Sequence, residues 1–97
     1  MDIVEANPEH PFTVTELAAA AGVGVRALQE AFRRYRGTTP MRFVRDVRLR
    51  KAHEELASGT PATVAEVAYR WGFGNLGRFA NSYREKYGRP PSLTLRR

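Results

Sequence analysis

An internal repeat constrains the fold of this 97-residue chain more than any other feature of its sequence. Part of an early segment recurs 50 positions later in the same order: Pro11, Thr13, Val14, Glu16, Ala18, Gly22 and Gly24 return as Pro61, Thr63, Val64, Glu66, Ala68, Gly72 and Gly74. Beyond Gly24 the offset becomes 51, and the matched pairs are Leu28 and Phe79, Phe32 and Tyr83, Arg33 and Arg84, Gly37 and Gly88, and Pro40 and Pro91. An ordered series with one register shift indicates a duplicated structural unit.

Each copy has the pattern of two short helices joined by a turn that contains glycine. Thr13 and Glu16 form the capping-box pattern of a helix start, and so do Thr63 and Glu66. The pattern predicts first helices over 14–21 and 64–71, and second helices over about 25–35 and 75–87. This arrangement is typical of a helix-turn-helix, although a helical hairpin used only for packing has similar lengths.

Between the copies the sequence predicts one long helix. Thr39 followed by Pro40 is typical of a helix N-cap, and no helix breaker follows before residue 58. We therefore predict an all-α fold of two tandem helix-turn-helix subdomains, at 1–38 and 59–97, joined by a long central linker helix at 39–58. The linker has a broad apolar arc that we expect to pack against both copies: Met41, Val44, Leu49, Ala52 and Leu56. Its length of ~27 Å roughly suits the ~34 Å between successive major-groove segments of DNA.

The composition argues against several classes of protein. The chain has no Cys and only two His, so we expect no metal, no cofactor and no catalytic residue. No apolar run approaches the ~20 residues that a membrane helix needs, and no secretory pattern opens the sequence. We therefore expect a cytoplasmic protein that is not an enzyme, with His10 and His53 as ordinary surface residues.

The net charge of +6 is concentrated in two blocks. Residues 26–51 carry nine Lys and Arg against two acids, and residues 70–97 carry seven against one. Segments 1–25 and 52–69 are both net negative. Each basic block contains one of the predicted second helices, so a polyanionic partner is expected at those helices.

On each predicted second helix, an apolar face opposes a polar one. The inward faces are Leu28, Ala31, Phe32 and Tyr35 in the first copy and Phe79, Ser82 and Tyr83 in the second. Arg, Gln and Asn on the other side have the hydrogen-bond geometry that base edges require. Arg33 and Arg84 lie further along the helices and are candidate phosphate contacts, together with the capping residues Thr13 and Thr63.

These features resemble the C-terminal DNA-binding domain of AraC/XylS-type transcription regulators over essentially the whole chain. The matching residues are Thr15-Glu16-Leu17-Ala18 with Gly22, then Leu28, Phe32, Gly37 and Pro40, then Arg48-Leu49, Ala52 and Leu56, then Val67-Ala68 and Gly72-Phe73, and finally Phe79, Tyr83, Gly88 and Pro91. The resemblance implies one protomer on two adjacent major-groove segments of double-stranded DNA, usually activating transcription, with RNA polymerase as a partner. It also implies the base-contacting residues, namely Arg26, Gln29 and Glu30 in the first copy and Leu76, Arg78 and Asn81 in the second.

The sequence departs from that family at a few positions. Gly24 stands where a capping Ser is common, and Gly77 stands where a polar residue is common. The larger effector-sensing or dimerisation domain that most members carry is missing from these 97 residues, so we expect this chain to be the C-terminal part of a longer regulator. Glu30 has an alternative role as an ion-pair partner of Arg34, one helical turn away. Two other functions stay open: the DNA-binding arm of a recombinase or transposase, and a basic protein-interaction module.

Overall fold

The computed structural model describes residues 1–61 and 63–95, which form seven α-helices and no strand. They are α1 (Asp2–Ala6), α2 (Val14–Ala21), α3 (Val25–Arg36), α4 (Pro40–Ser58), α5 (Val64–Arg70), α6 (Leu76–Tyr87) and α7 (Pro91–Leu95). The predicted all-α fold is confirmed. The chain divides into a first unit, Met1–Val47, and a second unit, Arg48–Arg97, and the division falls inside α4.

The first unit has a core built around the pair α2 and α3. The buried residues are Val4, Phe12, Leu17, Ala18, Leu28, Phe32, Val44 and Val47. The last two come from the N-terminal half of α4, so the linker helix is part of this core. At the end of α3, the guanidinium carbon of Arg36 lies 4.7 Å from the centre of the Phe43 ring on α4. This cation–π contact ties the last turn of α3 to the linker helix.

The second unit has its own core, supplied by α4, α5 and α6. The buried residues are Leu49, Ala52, Leu56, Val67, Ala68, Phe79 and Tyr83. Trp71 and Phe73 are partly buried against this core. The Glu55 carboxylate on α4 accepts a hydrogen bond from Trp71 Nε1 at 2.8 Å and forms an ion pair with Arg70. A half-buried carboxylate thus joins α4 to the end of α5.

The repeat persists in the hydrogen bonds that begin and end the helices. Thr13 Oγ1 accepts from Glu16 N at 3.0 Å, and Thr63 Oγ1 accepts from Glu66 N at the same distance. The turn bonds also recur: Val23 N to Ala18 O at 3.0 Å, Phe73 N to Ala68 O at 2.9 Å, Leu28 N to Gly24 O at 3.0 Å, and Phe79 N to Asn75 O at 3.0 Å. The residues of the Val23 bond and of the Phe73 bond differ in number by 50, and those of the Leu28 bond and of the Phe79 bond differ by 51. The extra residue therefore lies in the turn between α5 and α6.

Four side chains are placed differently from the prediction. Tyr35 is 78% exposed, and Ala31 and Met41 are also exposed, although the apolar pattern put all three on inward faces. Periodicity gives the direction of a side chain, but burial also needs a covering element, and the described residues supply none at these positions. His53, expected at the surface, is half-buried, and its Nδ1 lies 2.7 Å from the Tyr83 hydroxyl.

Two five-residue helices were not predicted from the sequence, namely α1 and α7. Both are too short to show a 3.6-residue period. The second of them begins at Pro91, the counterpart of Pro40 at the start of α4. The repeat therefore extends to the first residue of a third helix in each copy.

A serine at position 24 is expected to stabilise the first unit. Gly24 is the N-cap of α3, with extended backbone angles, no side-chain cap bond and no atom within 4 Å of an added Cβ. The hydroxyl of Gly24→Ser can accept from the first turn of α3, and the substitution also reduces the entropy of the unfolded chain. We expect the free energy of unfolding to rise by about 0.5–1 kcal/mol in urea titrations. Gly22→Ser is the contrasting control, because its φ of +72° strains any L residue, and it should lower stability. Destabilisation by Gly24→Ser would contradict the cap assignment.

The stability of the second unit is expected to fall at alkaline pH through Tyr83. Burial raises the pKa of the Tyr83 hydroxyl above its ordinary value of 10.0, and the bond to Thr94 and the charge of Arg89 oppose that shift. The unfolded chain therefore loses this proton first, so the free energy of unfolding decreases as pH rises above about 10. Tyr83→Phe should show a shallower decrease than the parent chain in urea titrations at stepped pH. Tyr69→Phe, at a 58% exposed position, is the control and should keep the parent slope. Equal slopes for all three chains would exclude Tyr83 as the source.

Candidate nucleic-acid interface

The exposed face of α3 brings four polar residues together. Burial of Leu28 and Phe32 on one side of this helix turns the opposite side to solvent. That side presents Arg26, Gln29, Glu30 and Arg33, which are exposed and line one shallow groove. The structure therefore groups all four residues of α3 that the sequence predicted to contact DNA. We call this surface the α3 face.

A second shallow depression adjoins the α3 face at the start of α4. Gln29 and Arg33 line it together with Gly37, Thr38, Thr39 and Arg42. Thr39 Oγ1 accepts from Arg42 N at 3.1 Å, which caps α4 as the sequence predicted. A helix N-terminus carries partial positive charge, and the adjacent Arg side chains add to it. The combination suits an anionic group such as a phosphate.

Arg42 is a candidate contact that the sequence did not single out. It is one of five Lys and Arg residues on α4 between positions 42 and 51, and the pattern gave no reason to prefer it. The turn at Gly37, with a φ of +65°, brings the start of α4 beside the end of α3. The proximity of Arg42 to Arg33 thus depends on the path of a turn, which composition and periodicity do not specify.

In the second unit, α6 has the corresponding exposed face. Phe79 and Tyr83 are buried, and Arg78, Asn81 and Arg84 are exposed on the remaining surface of the helix. Asn75 is the N-cap, and its Oδ1 accepts from Arg78 N at 2.9 Å, which fixes the first turn. We call this surface the α6 face.

Two positions at the start of α6 differ in what they offer to a ligand. Gly77 is exposed but has no side chain. Leu76 is half-buried and packs against the core of the second unit, so that part of its side chain is already in contact with the protein. Contacts from this end of α6 therefore depend mainly on Arg78.

The two predicted phosphate contacts that lie outside the α3 face and the α6 face are helix caps. Thr13 and Thr63 are exposed at the starts of α2 and α5, and each hydroxyl oxygen accepts from a backbone amide. The hydroxyl proton remains a donor in this geometry. Each residue can therefore cap its helix and donate to a phosphate oxygen at the same time.

Glu30 stays on the α3 face and does not form the alternative ion pair. Among the described residues no ion pair joins it to Arg34, whose guanidinium carbon lies 5.8 Å from the centre of the Tyr35 ring. A carboxylate beside Arg26 and Arg33 repels phosphate but can accept a hydrogen bond from the amino group of cytosine. Glu30 thus suits a base edge better than the DNA backbone.

Residues 1–61 and 63–95 lack two features that would indicate a different kind of site. That part of the chain holds no group of three or more His, Asp or Glu able to coordinate a metal ion. None of its helices combines the length and the apolarity that a bilayer span requires.

Comparison with known proteins gives consistent matches. A family model described as a helix-turn-helix domain matches residues 17–97. The probable thc operon regulatory protein of Rhodococcus erythropolis is 44% identical over 98 residues, which cover 99% of this chain and 30% of that protein. The XylDLEGF operon transcriptional activator 2 of Pseudomonas putida is 35% identical over 97 residues, covering 98% of this chain and 62% of that protein. The chain thus spans between about a third and two thirds of the length of these relatives.

The fold also matches a solved structure. The crystal structure of a probable AraC family transcriptional regulator from Rhodopseudomonas palustris superposes with a TM-score of 0.91 at 43% identity. The match covers 97% of this chain and 88% of that one. Because the family model covers most of the sequence and the structural match extends over nearly all of it, the chain belongs to the AraC/XylS family of DNA-binding transcription regulators and corresponds to the family's C-terminal DNA-binding domain.

Proposed function

We propose that this domain binds double-stranded DNA in a sequence-specific way, with α3 and α6 entering adjacent major-groove segments. The observation that carries the proposal is the α3 face, where Arg26, Gln29, Glu30 and Arg33 are exposed together on a helix held by Leu28 and Phe32. A helix fits the major groove, and these side chains match the donors and acceptors that base edges present there. The α6 face supplies the second set of contacts.

The proposed contacts divide into two classes. Arg26, Gln29, Glu30, Leu76, Arg78 and Asn81 contact bases, and Thr13, Arg33, Thr63 and Arg84 contact phosphates. Base contacts provide specificity, whereas phosphate contacts provide affinity that falls with salt. To the second class we add Arg42, because it lies with Arg33 at the N-terminus of α4.

At the level of the whole regulator, we propose activation of transcription in the cytoplasm. The support is family membership together with the relative named as a transcriptional activator. Activation requires contact with RNA polymerase once the promoter is bound, and the trigger lies in an effector-sensing or dimerisation domain outside these 97 residues. If transcription of an operon falls when this domain binds its promoter, the regulator is a repressor instead.

Selection from a randomised duplex library tests the DNA-binding proposal. We expect enrichment of sites with two half-sites about one helical turn apart, as two recognition helices on one face of DNA require. Enrichment of one half-site alone would limit specific binding to a single helix. If no duplex outcompetes random DNA at physiological salt, the domain is not a specific DNA reader, and a basic protein-interaction module becomes the better explanation.

Two substitutions on α3 should have different effects on the selected duplex. Arg26→Ala removes a proposed base contact, so it should reduce discrimination at one position of one half-site by ~1–3 kcal/mol. Arg33→Ala removes a proposed phosphate contact, so it should weaken all duplexes alike and reduce the salt slope by about one. Fluorescence anisotropy titrations on matched and mismatched duplexes at several salt concentrations measure both quantities.

Arg34→Ala is the matched control for these two variants. It removes the same charge from the same helix, but Arg34 contacts Tyr35 and lies off the α3 face. It should change discrimination least of the three. Identical behaviour of the Arg26 and Arg33 variants would show that the division into base and phosphate contacts is wrong.

A further inference from the structure

A chain of side-chain hydrogen bonds crosses the second unit and is not part of the α6 face. His53 Nδ1 on α4 lies 2.7 Å from the Tyr83 hydroxyl on α6, and that hydroxyl donates to Thr94 Oγ1 on α7 at 2.7 Å. The Tyr83 hydroxyl can donate one hydrogen bond and accept another, so it bridges the His53 ring and the Thr94 side chain. The His53 ring also stacks on Tyr87, with ring centres 4.2 Å apart and 12° between the planes.

The first copy of the repeat lacks this chain. At an offset of 51, Phe32 stands in the place of Tyr83 and Phe43 in the place of Thr94. These two rings lie 5.5 Å apart and have no polar side-chain atom to bond. A helix-turn-helix of this type thus folds without the hydrogen bonds. Their presence in the second copy calls for a role beyond packing.

The hydrogen bonds restrict a motion that apolar packing permits. A ring pair tolerates small rotations of a helix about its axis, whereas a hydrogen bond weakens steeply once its angle and distance depart from the optimum. Tyr83 is fully buried and lies on the side of α6 opposite Asn81. With a helix radius of about 5–6 Å including side chains, a rotation of ~20° would move an exposed side chain by roughly 2 Å. Such a displacement is enough to break a contact with a base edge.

We propose that His53 is a positioning residue for DNA recognition by the second unit, acting through Tyr83 to fix the rotation of α6 and hence the direction of Arg78 and Asn81. The inference rests on the proposed DNA binding and identifies what determines specificity at its second half-site. In the proposed complex His53 does not contact DNA. Its contribution is to the geometry with which α6 meets the bases.

The test measures discrimination separately at the two half-sites of the selected duplex. Three duplexes are titrated with each 97-residue chain: the selected site, a version with the first half-site scrambled, and a version with the second half-site scrambled. The ratio of two affinities measured on one protein sample cancels the fraction of folded protein. A variant in which the whole chain is merely less stable therefore keeps its ratios, and the unfolding curves described below show whether the second unit stays folded at the assay temperature.

His53→Phe is the principal variant, because it keeps an aromatic ring against Tyr87 and removes the ring nitrogen that bonds to the Tyr83 hydroxyl. We expect discrimination at the second half-site to fall by about tenfold, the order of one well-formed base contact, with no change at the first. Tyr83→Phe removes the same bond together with the bond to Thr94, so its loss should be at least as large, and the double variant should be no worse than Tyr83→Phe alone. His53→Gln restores an N–H donor and should recover part of the discrimination.

Glu54→Gln is the matched control on α4. This neighbouring carboxylate is exposed and lies 4.0 Å from Lys51 Nζ, away from the hydrogen-bonded chain. Its removal should leave both ratios unchanged. Thermal unfolding followed by circular dichroism records the stability of every variant in parallel.

Two outcomes would overturn the inference. If His53→Phe weakens binding to all three duplexes by one common factor, the residue is structural only. If additive losses appear in the double variant, His53 and Tyr83 do not act through their shared bond. Failure of the parent chain to discriminate any selected duplex from random DNA would instead remove the proposed function, and the inference would fall with it.

Discussion

Burial of one pair of large side chains on α3, and of another on α6, is the constraint on which both candidate DNA faces depend. Leu28 and Phe32 fix α3 in the first unit, and Phe79 and Tyr83 fix α6 in the second. Each pair is spaced by four residues, so it occupies one side of its helix and turns the opposite side to solvent. Full burial of a Phe or Leu side chain contributes about 1.5–3 kcal/mol, which exceeds any single exposed polar contact on the same helix. The position of each helix therefore depends on its buried pair and not on the exposed polar residues.

The same constraint explains how much of the fold could be predicted from the sequence. Both helix-turn-helix units and the linker helix follow from local signals: capping residues, glycine after the helices, and a period of 3.6 residues. The residues of the α3 face follow as well, since they lie opposite a buried pair. The exposure of Tyr35 could not be predicted, because its spacing along α3 matches the inward face but no described element covers it. The position of Arg42 beside Arg33 could not be predicted, because it depends on the path of the Gly37 turn. The contacts of His53 could not be predicted either, because its partners lie 30 and 34 residues away in the sequence.

The two units begin their second helices, α3 and α6, in different ways. In the first, Gly24 caps α3 without a side-chain bond, and Arg26 follows two positions later. In the second, Asn75 caps α6 through its side chain, and Gly77 stands at the position equivalent to Arg26. The first unit thus combines a cap without a side-chain bond with a long side chain at the second helical position, whereas the second unit combines a side-chain cap with a glycine there. In the proposed complex, base contacts from the second position of the helix therefore come from α3 alone, and α6 contributes from Arg78 and Asn81.

A unit with fewer reading side chains depends more on the accuracy with which those that remain are placed. Arg can form a paired contact with guanine and Asn with adenine, but only when both hydrogen bonds reach their optimum distance together. A helix held by apolar contacts alone retains some freedom to rotate, because dispersion contacts have little directional preference. The bond from His53 to the buried Tyr83 hydroxyl, continued to Thr94, adds a directional restraint from two other helices. Tyr83 and Thr94 stand where the first copy has Phe32 and Phe43. In the proposed DNA complex, this polar pair gives α6 a defined orientation where few contacts provide the specificity.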